Sequence, residues 1–83
     1  MTVHQLKTWP VYFQAIVDGD KTFEYRVDDR GFKTGDQVRL REYTPYKDAS
    51  YTGREIVATI GFLLPLQAPY VVFSLLNVGP VTP

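Results

Sequence analysis

The stretch Lys21-Thr22-Phe23-Glu24-Tyr25-Arg26-Val27 alternates two kinds of side chain and is rich in β-branched and aromatic residues. A period of two is typical of a strand with one face on a core and the other outside it. Because bulky apolar side chains favour the buried face, the pattern predicts an orientation as well as a strand. We expect the core face to carry Phe23, Tyr25 and Val27, and the other face to carry Thr22, Glu24 and Arg26.

Period-two patterns predict four more strands, at residues 3–7, 37–43, 55–62 and 70–75. In the 55–62 segment the pattern places Ile56, Ala58, Ile60 and Phe62 on one side. We expect Phe23 and Tyr25 to be buried together with Val38, Leu40, Ile60 and Phe73. The outward face of the 37–43 strand then carries Arg39, Arg41 and Tyr43.

One segment near the N-terminus predicts a helix. Thr8 is a candidate N-cap, Pro10 is tolerated in a first turn, and Gly19 ends the segment. Its apolar face is formed by Tyr12, Phe13, Ile16 and Val17. Together the elements predict a mainly β (α+β) fold, a small pseudo-barrel of about five strands with one N-terminal helix plugging its mouth.

Residues 56–83 contain no charged side chain, which raises the question of a membrane span. Pro65 and Pro69 argue against it, because each would break a helix in lipid at a cost of about 3 kcal/mol. Both faces of the last predicted strand are apolar. That strand is therefore expected either to be central in a closed barrel or to be covered by a second copy in a homodimer.

Length and composition restrict the function classes. The 83 residues, 1–83, suit a single domain, and nine Lys plus Arg balance nine Asp plus Glu. Zero net charge argues against a protein that coats DNA through a broad basic field. One His and no Cys argue against a zinc site or a disulfide framework, and no cofactor is expected. The N-terminus has no apolar signal-peptide core, so we expect a cytoplasmic protein without a membrane partner.

Charged residues at two-residue spacing form the candidate polar site. Glu24 and Arg26 lie about 6.6 Å apart on one strand face, and Arg39 and Arg41 repeat this spacing. If the two strands pair, the four side chains form one patch, which is either a solvated face with ion pairs or a binding surface. Lys21 follows the turn at Asp18-Gly19-Asp20, and only a bend there would bring it to the face of Glu24.

His4 and the tyrosines offer weaker signals. His4 shares a face with Leu6, and a lone His beside an apolar neighbour is more often structural than catalytic. Tyr43, Tyr46 and Tyr51 surround the long polar loop at 44–53 and are candidates for stacking unpaired bases beside Arg39 and Arg41. The sequence has no Gly-rich phosphate loop and no Ser or Cys nucleophile beside a His.

The ordered set Gly19-Asp20-Lys21-Thr22-Phe23-Glu24-Tyr25-Arg26, followed by Gly35-Asp36, resembles the ASCH domain family of the PUA-like superfamily. The segments 4–7, 29–32 and 40–43 resemble a short bacterial and phage branch of that family whose function is unknown. The resemblance runs from residue 4 to about residue 76. It implies a PUA-like pseudo-barrel with a cleft between helix and barrel that holds RNA or a modified nucleoside.

Some small ASCH proteins are amidohydrolases acting on N4-acetylcytidine, and others have been described as ribonucleases. The resemblance aligns Lys21 with the amidohydrolase lysine, but Glu24 stands where those enzymes have threonine, and no glutamate follows Glu55. Lys21 and Glu24 are thus the candidate catalytic residues. The candidate RNA or substrate contacts are Lys7, Thr22, Arg26, Arg39, Arg41 and Tyr43.

Three functions follow from these observations. The first is a non-enzymatic module that binds RNA or a modified nucleoside, with cations on phosphate or base edges and a tyrosine on the base. The second is a hydrolase in which either Lys21 acts as base or nucleophile, or Glu24 activates water while Lys21 polarises a carbonyl. The third is a phage or host interaction protein whose charge-free C-terminal region is a partner surface.

Overall fold

Five strands and one short helix follow one another in the computed structural model, which describes residues 2–46 and 48–81. They are β1 (Val3–Thr8), α1 (Pro10–Val17), β2 (Phe23–Val27), β3 (Gln37–Thr44), β4 (Ser50–Pro65) and β5 (Tyr70–Pro80). The predicted fold class, mainly β with five strands and one N-terminal helix, is confirmed.

The five strands form one curled sheet with the order β1-β3-β4-β5-β2. β1 pairs with β3 in parallel, and the other neighbouring strands are antiparallel. β1 and β2 are therefore the two edges, and no backbone pairing joins them within residues 2–46 and 48–81. The sheet is a half-barrel whose edges leave a cleft instead of closing into a ring.

Register shifts interrupt the longest strands and help to bend them. One lies between Arg41 and Tyr43 in the β3–β4 pair, and others follow Val57 and Ile60 in the β4–β5 pair. An irregularity of this kind bends a strand and changes which side the next residue faces. The prediction that Phe62 shares one side of β4 with Ile60 is wrong for this reason, since Phe62 is 74% exposed and Gly61 is buried instead.

The core lies on the concave side of the sheet, under α1. Inward-facing side chains of the three central strands supply most of it, and β1, α1 and the 28–36 connection add the rest. Burial of Val38, Leu40, Ile60 and Phe73 confirms four of the predicted core positions. The other buried apolar residues are Leu6, Phe13, Ile16, Phe32, Ile56, Ala58, Val71 and Leu75.

The predicted orientation of β2 is wrong. Glu24 is buried at 4% exposure and lies opposite Phe73 of β5, whereas Phe23 and Tyr25 are about half exposed, as is Val27. β2 is an edge strand, and its inward face lies beside the cleft, where two cationic side chains neutralise a carboxylate. Burying a polar side chain there costs less free energy than in the core. Hydrophobicity alone therefore does not determine which face of β2 turns inward.

The N-cap of helix α1 lies one residue later than predicted. Trp9, with φ −63° and ψ 150°, occupies the N-cap position without a side-chain hydrogen bond, and Pro10 starts the helix. Thr8 is therefore not the cap, because it is the last residue of β1. Phe13 and Ile16 are buried as predicted, whereas Tyr12 and Val17 are about half exposed. In the part of the chain that the structure describes, no helix has the length and apolar character needed to cross a bilayer.

The close packing of β4 on β5 predicts that Gly61→Ala destabilises the protein. A Cβ at this position would lie 2.9 Å from Cγ of Leu76 and closer still to Oγ of Ser74. The Ser74 hydroxyl is held by the backbone N–H of Phe62, which donates to it at 2.9 Å. Overpacking of this kind lowers the free energy of unfolding by about 1–3 kcal/mol, which urea denaturation measures.

Gly79→Ala is the matched control, because a Cβ at Gly79 meets no described atom within 4 Å. Its free energy of unfolding should be unchanged or slightly raised. Equal losses in the two variants would contradict the packing explanation.

Candidate ligand cleft between the edge strands

A cleft of about 960 Å³ lies between the edges of β1 and β2. The end of β1, the start of α1, β2 and the 29–32 segment line it, together with the first residue of β5. Its lining combines charged groups with six aromatic side chains, which are Trp9, Tyr12, Phe23, Tyr25, Phe32 and Tyr70. Apolar walls with a few convergent polar groups are the usual composition of a small-ligand site.

The turn after α1 brings Lys21 into this cleft. Gly19 has φ +80°, a conformation that glycine adopts without strain. The next two backbone N–H groups, of Asp20 and Lys21, both donate to the Ala15 carbonyl, at 2.9 and 3.0 Å. The chain thus turns over residues 18–20, immediately before Lys21 and β2. This turn lets Lys21 reach the face of Glu24, for which the sequence required a bend there.

Glu24 holds two cations, one on each carboxylate oxygen. Lys21 Nζ lies 2.6 Å from Oε1, and Arg26 Nε lies 2.7 Å from Oε2. The Glu24 side chain is 5% exposed, so these charge-assisted hydrogen bonds compensate for its lost hydration. Lys21 Nζ also donates to the carbonyl of Phe23 at 2.7 Å.

Arg26 additionally joins the two edges of the sheet. Its Nη2 donates to the backbone carbonyl of Lys7 at 2.8 Å, across the gap between β2 and β1. A guanidinium carries five N–H donors and an ammonium three. With two of each in use among the described residues, Arg26 keeps three and Lys21 keeps one for another group. The cluster has one excess positive charge and unused donors.

The condition for one patch of Glu24, Arg26, Arg39 and Arg41 is not met, because their two strands do not pair. β2 pairs with β5, whereas β3 lies between β1 and β4 on the other side of the sheet. Arg39 and Arg41 share the carboxylate of Glu55 on the outer face. The cleft and this outer face thus carry two separate clusters of charged side chains.

Aromatic rings accompany the cations on the outer face. Arg41 Cζ lies 3.8 Å from the centre of the Tyr51 ring, and Lys7 Nζ lies 4.6 Å from that of Tyr43. Lys7 therefore contributes its backbone carbonyl to the Arg26 contact while its ammonium lies over Tyr43. Thr22 is exposed and does not line the cleft; its carbonyl accepts a hydrogen bond from the N–H of Leu75 at 2.9 Å.

Thr8 is a cleft residue that the sequence reasoning missed. It lines the cleft at 3% exposure, and its Oγ1 has no hydrogen-bond partner among residues 2–46 and 48–81. An unpaired buried hydroxyl costs about 1–3 kcal/mol. Its position before Trp9-Pro10 suggested a helix cap, and no local sequence signal distinguishes that role from the end of a strand.

Comparison with known proteins assigns the chain to a family. The family described as "Domain of unknown function (DUF3850)" matches residues 3–75. The chain belongs to this family. The match includes every cleft residue from Leu6 to Tyr70, so the cleft lies within the DUF3850 domain.

One similar protein comes from Escherichia phage P2. The chain is 33% identical over 58 residues to its "Uncharacterized 12.9 kDa protein in GpA 3'region". The matched region is 70% of this chain and 50% of the phage protein, so the chain spans about half the length of that relative.

His4 of β1 has a structural role, because it contacts Asp36 just before β3. Its ring is 6% exposed, lies 2.9 Å from Oδ2 of Asp36, and packs edge-on against Phe32 with 4.8 Å between ring centres. The hydrogen bond from His4 is the main cause of a pKa of Asp36 below its usual value, and partial burial opposes it. Within the described residues, no group of three or more His, Asp or Glu is arranged to hold a metal ion.

The lowered pKa of Asp36 predicts a loss of stability in acid. The folded protein binds this proton less readily than the unfolded chain, so the stabilisation is complete above the unfolded value of about 3.9 and disappears as pH falls through the folded pKa. Urea unfolding between pH 7 and pH 2.5 measures the slope. Below about pH 4, Asp36→Asn should give a flatter curve than the parent.

Asp29→Asn is the control, since its carboxyl side chain is 67% exposed. Its curve should keep the parental slope. If Asp36→Asn also keeps that slope, the His4–Asp36 hydrogen bond is not a source of acid sensitivity.

Proposed function

We propose that this DUF3850 domain is an ASCH-type module that binds RNA or a modified nucleoside in the cleft between β1 and β2. One observation supports this most directly. The buried carboxylate of Glu24 holds Lys21 and Arg26 side by side, and these two cations keep unused N–H donors in a cleft lined with aromatic rings. Phosphate and base-edge oxygens accept such donors, and aromatic rings stack on bases.

The roles of the proposed contacts follow from their positions. Arg26, with three unused donors, meets a phosphate, and Lys21 meets a second acceptor on the same ligand. Lys7 lies at the border of the cleft and the outer face. Arg39, Arg41 and Tyr43 belong to the outer face, where only a ligand that extends past β1 reaches them. Thr22, just before β2, contributes through its backbone, because its carbonyl accepts a hydrogen bond from the N–H of Leu75.

A hydrolase, acting on an acylated cytidine nucleoside or on RNA, is the second candidate. The 2.6 Å contact between Lys21 and Glu24 supports it, because a carboxylate base beside a cation is a common hydrolytic pair. A general base needs an oxygen that is free to accept a proton from water. Both Glu24 oxygens already accept hydrogen bonds from cations, and this favours binding over cleavage.

Lys21→Ala is expected to weaken ligand binding at least about tenfold, because it removes a charged donor. The fold should remain intact, because Arg26 still compensates the Glu24 carboxylate. Glu24→Gln distinguishes the two candidates, since the amide keeps one acceptor oxygen. A binding module then retains much of its affinity, whereas a hydrolase retains binding and loses about two to four orders of magnitude in rate. Fluorescence anisotropy with short RNAs and product analysis with N4-acetylcytidine measure both.

Lys33→Ala is the control, because Lys33 is exposed and does not line the cleft. Circular dichroism melts show whether each variant folds. If Lys21→Ala binds and turns over like the parent, or fails to fold, the site assignment is wrong and the ion pairs are structural.

Self-association through the charge-free C-terminal region remains a proposal of its own, with a second copy as partner. Leu76 and Val78 of β5 are 48% and 41% exposed, and no charged residue lies beyond Glu55. Burying such side chains on a second copy removes them from water. An interface there is also compatible with the phage or host interaction role.

The self-association proposal predicts that light scattering at high concentration gives the mass of two chains. Leu76→Ser should shift the protein to the mass of one chain, whereas Val11→Ser, at a 65% exposed position on α1, should not. A single-chain mass for the parent at every concentration would contradict the homodimer.

A further inference from the structure

We propose that the cleft holds at least two consecutive nucleotides, with the phosphodiester between them on Arg26 and Lys21 and one base on each of two aromatic pairs. This inference rests on the proposed function and names its ligand class as a single-stranded oligonucleotide. A lone nucleoside would use only part of the site.

Two stacked aromatic pairs line the cleft on separate elements. Trp9 and Tyr12 lie at the start of α1, directly after the β1 edge, with 6.5 Å between ring centres and 27° between planes. Tyr25 of the β2 edge stacks on Tyr70 with 5.4 Å and 14°. All four residues line the cleft. The two pairs thus belong to opposite sides of the opening.

Each of these four side chains is between 42% and 56% exposed. Half-exposed rings keep a face or edge available, and a base stacks on such a ring whatever its identity. Tyr25 is also one of the residues that the alternation in β2 predicted to be buried in the core. Its exposed position beside Tyr70 therefore leaves an aromatic surface that core packing does not use.

The charge of the Lys21–Glu24–Arg26 cluster fits one phosphodiester. Lys21 and Arg26 share the single carboxylate of Glu24, which leaves the cluster one net positive charge. Arg30, which also lines the cleft, lies 3.5 Å from Asp29. The unused donors belong to Arg26 and Lys21, on either side of Glu24. A single internucleotide phosphate matches this excess, whereas a long phosphate track does not.

The size of the cleft agrees with more than one base. Its volume of about 960 Å³ is near the upper end of the ~300–1,000 Å³ usual for small-molecule sites, in a chain of only 83 residues. Both aromatic pairs border this one space. A two-base ligand contacts both of them, and a one-base ligand contacts one.

Two probes of equal charge test the number of bases. Adenylyl-(3′→5′)-adenosine has two bases and one phosphodiester, and adenosine 5′-methyl phosphate has one base and one phosphodiester. We expect NMR titration to give at least about tenfold tighter binding for the first probe, because a second stacked base adds about that much. The slope of log affinity against log salt should be close to −0.7 for both, as for one phosphate contact.

Trp9→Ala and Tyr25→Ala locate the two bases. Each should reduce affinity for the two-base probe about tenfold, and each should reduce affinity for the one-base probe at most about twofold, because the single base can use the remaining pair. Phe62→Ala is the control, since Phe62 is 74% exposed and lies outside the cleft. It should change neither affinity.

The outcomes separate this inference from the function on which it rests. Equal affinity for the two probes overturns the two-base site and leaves nucleoside binding standing. Binding of neither probe contradicts both. If Tyr25→Ala abolishes self-association and leaves the affinity for the two-base probe unchanged, the Tyr25–Tyr70 pair is an interface between copies and the inference is wrong.

Discussion

The arrangement of the cleft depends on the buried carboxylate of Glu24. An uncompensated carboxylate at 5% exposure would cost several kcal/mol, and Lys21 and Arg26 remove that cost by occupying one oxygen each. The same contacts fix both cations, whose long side chains would otherwise move freely. Because Arg26 also donates to the Lys7 carbonyl, one buried charge determines how the edge strands β1 and β2 face each other. Glu24 therefore affects both the arrangement of the edge strands and the positions of the cleft cations.

An open half-barrel has two strand edges with unpaired backbone groups, and such edges invite pairing with other chains. Here β2 has only five residues, and the Arg26 guanidinium covers one free carbonyl on β1. A backbone ladder between the two edges would close the barrel and remove the cleft. A side-chain contact joins the edges at one point and leaves room beside it for aromatic rings and unused donors. The incomplete closure of the sheet is thus what leaves room for the cleft in so small a domain.

The sequence predicted elements better than orientations. Five strands, one helix and the burial of Val38, Leu40, Ile60 and Phe73 follow from periodicity, because residues of central strands have neighbours on both sides. The orientation of β2 does not follow, since both registers of an alternating strand are regular and the choice depends on a partner for Glu24 that lies outside the strand. The prediction for Phe62 is wrong because a register shift follows Ile60 in the β4–β5 pair. The separation of Arg26 from Arg39 required the strand order, which no local pattern contains.

Two groups of cations in one neutral chain differ in their surroundings. On the outer face, Arg39 and Arg41 share Glu55, whose side chain is 21% exposed, and the rings of Tyr51 and Tyr43 lie beside Arg41 and Lys7. In the cleft, Lys21 and Arg26 share the Glu24 carboxylate, which is only 5% exposed, in a space lined with aromatic rings. Zero net charge is therefore compatible with a local excess of positive charge at Lys21 and Arg26. The proposed site would act through a few directed hydrogen bonds and stacked rings, with little contribution from long-range electrostatic attraction.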